Sequence, residues 1–228
     1  MSTQFDRTIK IIGETAQNNL HNKKVAVFGL GGVGSYTVEA LVRAGIGSLV
    51  LIDFDTIDLT NINRQLYALH STIGKKKIDV AKERCLDINP NLKIETYDEL
   101  YLPDKTHDYL FKDVDYVIDC IDNVSGKIGL IEECHQDNIR IISCMGTGNK
   151  LDPSLLEITT IDKTSICPLA RVMRKKLKEK GLNKTMVLYS KEQPISINDR
   201  TPGSISYVPS SAGLLIASKV INELMEEK

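Results

Sequence analysis

A chain of 228 residues is long enough to bury one α/β domain and short for two. Its 29 Lys and Arg against 30 Asp and Glu leave no net positive field, so any affinity for nucleic acid has to come from a local patch. The opening MSTQFDRTIK has no apolar signal core, GSISYVPSSAGLLIAS is too short and polar to span a bilayer, and five scattered cysteines fit reduced thiols; together these predict a soluble cytoplasmic protein.

In chain order, Arg7 stands ahead of an amphipathic helical pattern, FDRTIKIIGETA. Strand-length apolar runs then alternate with helical stretches. KVAVFGL (24–30), SLVLIDF (48–54), LKIETYD (92–98), VDYVIDC (114–120) and RIISCMG (140–146) read as strands, with helices near 34–44, 75–88 and 124–138. Continuous runs such as VAVF fit strands covered on both faces. Past Thr147, LLEITTID and MVLYS read as strands flanking a helix from about Leu169 to Lys180, and a closing helix follows from about Ser210. This order predicts a doubly wound, mostly parallel, Rossmann-like α/β sheet with a C-terminal strand and helix extension. One domain is expected, with residues 1–147 as a nucleotide-binding core and 148–228 as an extension that serves acceptor binding and dimerisation.

Gly29, Gly31 and Gly34 form G-x-G-x-x-G between the first strand and its helix, the context in which that motif holds phosphate. The first glycine makes the turn, the second admits a phosphate and the third lets helix pack on strand. The helix N-terminus adds free N–H groups and a positive dipole end. Asp53 closes the second strand 19 residues after Gly34, where a carboxylate binds ribose hydroxyls. This half of the motif suits a dinucleotide as well as ATP.

The next stretch separates the two. In DFDTIDLTNINRQ, residues Asn61, Arg64 and Gln65 share one face of a helical turn, and Lys77 in GKKK opens the following helix. A bridged pyrophosphate needs little beyond helix-end amides. A triphosphate that loses pyrophosphate builds charge on its leaving group, and fixed Arg and Lys side chains answer that charge. Asp122, in VIDCIDN after the fourth strand, stands where a carboxylate holds Mg²⁺ against phosphates.

From about Phe5 to Pro168 the chain resembles the ATP-dependent adenylating superfamily that contains ubiquitin-activating enzymes and the activators of sulfur-carrier proteins. GxGGxG, DFDxxxxxNxxRQ, a lysine in GKKK and DCxDN stand in the family's order. The resemblance implies ATP contacts from Gly31, Gly32, Asp53, Asn61, Arg64, Gln65, Lys77 and Asp122, with Gly29, Gly34 and Asp55 completing the cofactor set. It also implies a homodimer in which Arg7 enters the partner's site, making Arg7, Arg64, Lys77 and Asp122 the catalytic candidates. The sulfur-carrier activators usually hold a structural zinc by two CxxC pairs. No CxxC occurs among Cys85, Cys120, Cys134, Cys144 and Cys167, so no structural zinc is expected. Cys144 and Cys167 remain conceivable nucleophiles, Cys167 because it precedes Pro168 at a helix start.

The segment KTSICPLARVMRKKLKEKGLNK holds eight basic residues and one acid. On a helix, Arg171, Arg174, Lys175 and Lys178 line one face opposite Leu169, Met173 and Leu177, a footprint suited to a phosphate backbone. With GSISYVPSSAGLLIASKVI near the end, it is similar to one branch of the superfamily, the enzymes that cyclise threonylcarbamoyladenosine in tRNA. That resemblance implies adenylation of a carboxylate beside the anticodon, ring closure by an internal nucleophile and release of AMP, with no protein thiol required. Partners that transfer sulfur stay open, as does activation of a ubiquitin-like or sulfur-carrier C-terminus. A third reading, an NAD-dependent oxidoreductase, would need neither Arg64 nor Lys77. The polar, turn-rich KEQPISINDRTPG (191–203) is expected to border the acceptor site.

Overall fold

The computed structural model describes residues 2–103, 111–199 and 201–226. Helix α1 (Asp6–His21) precedes β1 (Lys24–Phe28), α2 (Gly34–Ala44), β2 (Ser48–Ile52), α3 (Lys77–Ile88), β3 (Lys93–Tyr97) and β4 (Tyr116–Asp119). Then come α4 (Val124–Gln136), β5 (Arg140–Cys144), β6 (Leu156–Thr160), α5 (Pro168–Glu179), β7 (Met186–Ser190) and α6 (Tyr207–Met225). The strands form one seven-stranded sheet in the order β3-β2-β1-β4-β5-β7-β6. Every pairing is parallel except that of β6 with β7, so the extension adds a hairpin-like edge to the parallel core.

Alternation along β1 explains the layers. Val25 and Val27 face a core shared with α1, α2, α3 and α6, while Ala26 and Phe28 face a second core shared with α4. With both faces covered, the central strands β1, β2 and β4 are buried almost throughout, which is why they read as continuous runs, whereas the edge strands β3 (KIETY) and β6 (LEITT) carry polar residues. Helix α5 packs through Ala170, Met173 and Leu177 against Ile128 and Ile131 of α4. The chain reverses direction across the sheet between β1 and β4, and the carboxyl ends of those strands frame the crevice where ligands bind in such folds.

Two boundaries differ from the sequence expectation. Helix α6 begins at Tyr207 rather than near Ser210, because Pro209 is tolerated in a first turn, where its missing N–H costs nothing. Helix α1 is broken at Gly13, whose φ of 82° and ψ of 163° lie outside the helical region, so Arg7 rides on a short first segment. Among the described residues no helix is long and apolar enough to cross a membrane.

Candidate active site

A cavity of about 790 Å³ opens at the carboxyl ends of β1, β2, β4 and β5. At its floor lies the glycine turn. Gly29 has φ 88°, donates to Ile52 O at 2.8 Å, and is wedged against β4, since a Cβ there would stand 2.7 Å from Cys120 O. At Gly34 a Cβ would stand 1.8 Å from Gly29 O, so helix-on-strand packing admits only glycine. A Cβ on Gly31 would meet nothing nearer than Gln65 Nε2 at 3.9 Å, and this open side faces the cavity. Val33, the residue before α2, makes no side-chain cap, and Ser35 N donates to Gly31 O at 3.0 Å, so the helix start is tied to the glycine turn.

Asp53 ties the turn to β2. Its Oδ2 accepts from Leu30 N at 2.6 Å and its Oδ1 from Asp55 N at 2.8 Å. Burial pushes its carboxyl above the ordinary carboxylate range, while the charge of Lys77 pulls the other way. The short 3-10 turn Leu59–Asn61 is capped by Asp58 through Thr60 N, and Arg64 and Gln65 donate their backbone N–H groups to Asn61 O at 3.1 and 2.9 Å. That helical turn brings Asn61, Arg64 and Gln65 to the cavity wall together. Arg64 Nη1 donates to Thr60 O and to Asn63 Oδ1, both at 3.0 Å. Lys77, the first residue of α3, is buried and donates to Asp55 Oδ2 at 2.6 Å. Asp122 is exposed on the opposite wall, and Asn123, not Asp122, caps α4 by accepting from Gly126 N at 3.0 Å.

Gly29, Gly31, Gly32, Asp53, Asp55, Asn61, Arg64, Gln65, Lys77 and Asp122 therefore line one cavity, and Gly34 supports it from below. Arg7 does not line it in its own chain and is exposed. Thr201–Ser204 form the far wall together with Met145–Gly148 after β5 and Pro209 of α6, two stretches that sequence reading did not assign to the site. The segment expected to border an acceptor does reach this wall, apart from Arg200, which lies outside the described residues. Asn149 bonds to it on both sides, donating to Gly203 O at 2.8 Å and accepting from Ile195 N at 2.8 Å.

Cys120 and Cys144 also line the cavity, yet burial pushes both thiols up, Cys144 to about 12. Neither supplies a thiolate near neutral pH. Cys167 is buried at the start of α5. On α5, Arg171, Lys175 and Lys178 are exposed as a basic face, whereas Arg174 turns back and donates to Thr164 O at 2.5 Å and Thr164 Oγ1 at 2.7 Å.

The sequence pattern of the ThiF family matches residues 5–228. The chain is 40% identical over 245 residues to the tRNA threonylcarbamoyladenosine dehydratase of Bacillus subtilis, covering 100% of this chain and 96% of that one. The crystal structure of the E. coli tRNA N6-threonylcarbamoyladenosine dehydratase TcdA in complex with AMP superposes with a TM-score of 0.92 at 33% identity, covering 97% of this chain and 94% of that one. Its complex with ATP gives a TM-score of 0.91 over 97% and 93% of the two chains.

Proposed function

The chain belongs to the ThiF family, and on that premise we propose that it is an ATP-dependent tRNA threonylcarbamoyladenosine dehydratase. The observation that carries the reading is the convergence of Arg64 and Lys77 on the same cavity as the glycine turn and Asp53. The bridged pyrophosphate of a dinucleotide needs little beyond helix-end amides, whereas a site that splits ATP between its α- and β-phosphorus uses fixed cations to meet the leaving charge.

Asp53 receives the ribose, and the amides at Gly31 and Gly32 receive the phosphates. The carboxylate of the threonylcarbamoyl group attacks the α-phosphorus, a P–O bond forms, and pyrophosphate departs with the electrons of the broken bond. Arg64 and Lys77 meet the charge that grows on it. An internal nucleophile of the modified base then attacks the activated carbonyl, closing a ring and expelling AMP, so the nucleoside ends one water lighter. No protein nucleophile is needed, in keeping with the raised thiols of Cys120 and Cys144. The wall of Met145–Gly148 and Thr201–Ser204 borders the acceptor, and Arg171, Lys175 and Lys178 meet the tRNA backbone.

Among the described residues no three His, Cys, Asp or Glu side chains gather to hold a metal ion. The cavity does offer the exposed carboxylate of Asp122. That donor set fits Mg²⁺ bound through one carboxylate, the nucleotide phosphates and water. When bound, Mg²⁺ supplies positive charge to the phosphates. The protein works in the cytoplasm as a homodimer, in which the partner's Arg7 completes the site. Support comes from the exposure of Arg7 on a segment set off by the break at Gly13.

Incubation with ATP and tRNA carrying threonylcarbamoyladenosine tests the reading. AMP, pyrophosphate and a dehydrated nucleoside in the tRNA digest are expected. AMP formed only with a carrier protein ending in Gly-Gly would overturn it.

A further inference from the structure

Asp119 and Lys127 form a charged pair inside the protein, with side chains 0% and 1% exposed. Lys127 Nζ donates to Oδ1 and Oδ2 of Asp119, each at 3.1 Å. Ser143, beside Asp119 in the register of β4 with β5, donates its hydroxyl to Oδ2 at 2.5 Å. The neighbours along these strands are Val117, Ile118 and Ile142, all fully buried, so apolar packing was available at this depth. Burying two charges costs more than packing hydrocarbon unless the geometry is good and every lone pair is met. The pair is retained under one particular turn.

That turn carries Asp122. Asp119 Oδ1 also accepts the backbone N–H of Ile121 at 3.0 Å. On the other side Asn123 Oδ1 caps α4 through Gly126 N. Asp122 thus stands between two fixed neighbours while its own carboxylate lines the cavity. Lys127 and Ser143 fix the orientation of the Asp119 carboxylate, which in turn holds the Ile121 amide.

We propose that Lys127, Asp119 and Ser143 are positioning residues that hold the β4–α4 turn so that Asp122 points at the nucleotide phosphates. The inference rests on the role given above to Asp122. These three side chains do not touch substrate; they act by fixing where Asp122 stands, and a displacement of about 1 Å in such a group can cost on the order of a hundredfold in rate.

Three variants test it. Ser143→Ala removes one bond to Asp119 and leaves the core filled. Asp119→Asn combined with Lys127→Met removes both charges at nearly constant volume. Asp122→Asn is the reference. Four readouts are needed: thermal unfolding, ATP affinity without Mg²⁺, turnover on tRNA as a function of Mg²⁺, and amide exchange at Ile121. The double variant is expected to fold and to bind metal-free ATP as the parent does. Its turnover should fall by about tenfold or more, with half-saturation moved to higher Mg²⁺ and faster exchange at Ile121. Ser143→Ala should show the same changes, severalfold smaller. A folded double variant with parental Mg²⁺ dependence and parental Ile121 exchange, alongside an impaired Asp122→Asn, overturns the inference and spares the role of Asp122. Full turnover by Asp122→Asn removes that role and the inference with it. Should the double variant not fold, unchanged exchange and turnover in Ser143→Ala overturn the proposal.

Discussion

Lys77 Nζ lies 2.6 Å from Asp55 Oδ2, with the lysine side chain 5% exposed and the aspartate 47% exposed. The ammonium is held in the cavity by a carboxylate that the solvent still reaches. In the proposed reaction an arriving triphosphate competes with Asp55 for the same cation. Asp55→Asn should therefore raise ATP affinity severalfold, whereas Lys77→Met should lower turnover by about a hundredfold. Titration calorimetry with ATP and single-turnover assays on tRNA check the pair of outcomes; weaker ATP binding in Asp55→Asn would show that Asp55 orients Lys77 rather than competing for it.

Arg64 makes its two side-chain bonds to Thr60 O and Asn63 Oδ1 in solvent-facing positions. Its removal should barely shift the melting temperature. Arg64→Ala should nonetheless slow ATP–pyrophosphate exchange by about a hundredfold to a thousandfold, the usual cost of losing a fixed donor to a charged leaving group.

The basic face of α5 predicts a salt effect. Exchanging Arg171, Lys175 or Lys178 singly for Gln should weaken tRNA binding and lower the slope of log affinity against log salt by about one each. Arg174 is different, because it braces the loop at Thr164. Its replacement by Gln should lower the melting temperature as well, which thermal unfolding measures directly.

Burial raises the Cys85 and Cys144 thiols from the ordinary value of 9.0 to about 12. The native chain therefore keeps protons that the unfolded chain has already released. Their stabilising contribution is whole below pH 9.0 and is lost as pH rises toward about 12. Urea midpoints should fall over that range, and less steeply in a Cys85→Ala, Cys144→Ala double variant. Near neutral pH, alkylating reagents should leave turnover of the native protein unchanged.

The strands and the gathering of Asn61, Arg64 and Gln65 on one cavity wall were legible because each rests on a local rule. VAVF and VLI are apolar on both faces, and Asn61, Arg64 and Gln65 are spaced for a single turn. What escaped depends on contacts between distant segments. Arg174 sits at the spacing of an exposed stripe, and only the fold brings Thr164 under it. Lys127 in GKIGLI was not singled out, because its partners Asp119 and Ser143 come beside it only through the pairing of β4 with β5. Met145–Gly148 and Pro209 carry no charged or nucleophilic mark in the sequence, and only the fold brings them to the cavity.

Helix α6 packs on α2 so closely that a Cβ at Gly213 would stand 2.3 Å from Val33 O, and Thr37 Oγ1 donates to Gly213 O at 3.1 Å. Its first turn brings Pro209 against the glycine loop, where a Cβ on Gly32 would lie 3.2 Å from the proline Cβ. The ribosome makes α6 after all seven strands. A chain that stopped short of Tyr207 would thus hold all seven strands yet lack both the helix that backs the glycine loop and a large part of the apolar cover of the sheet.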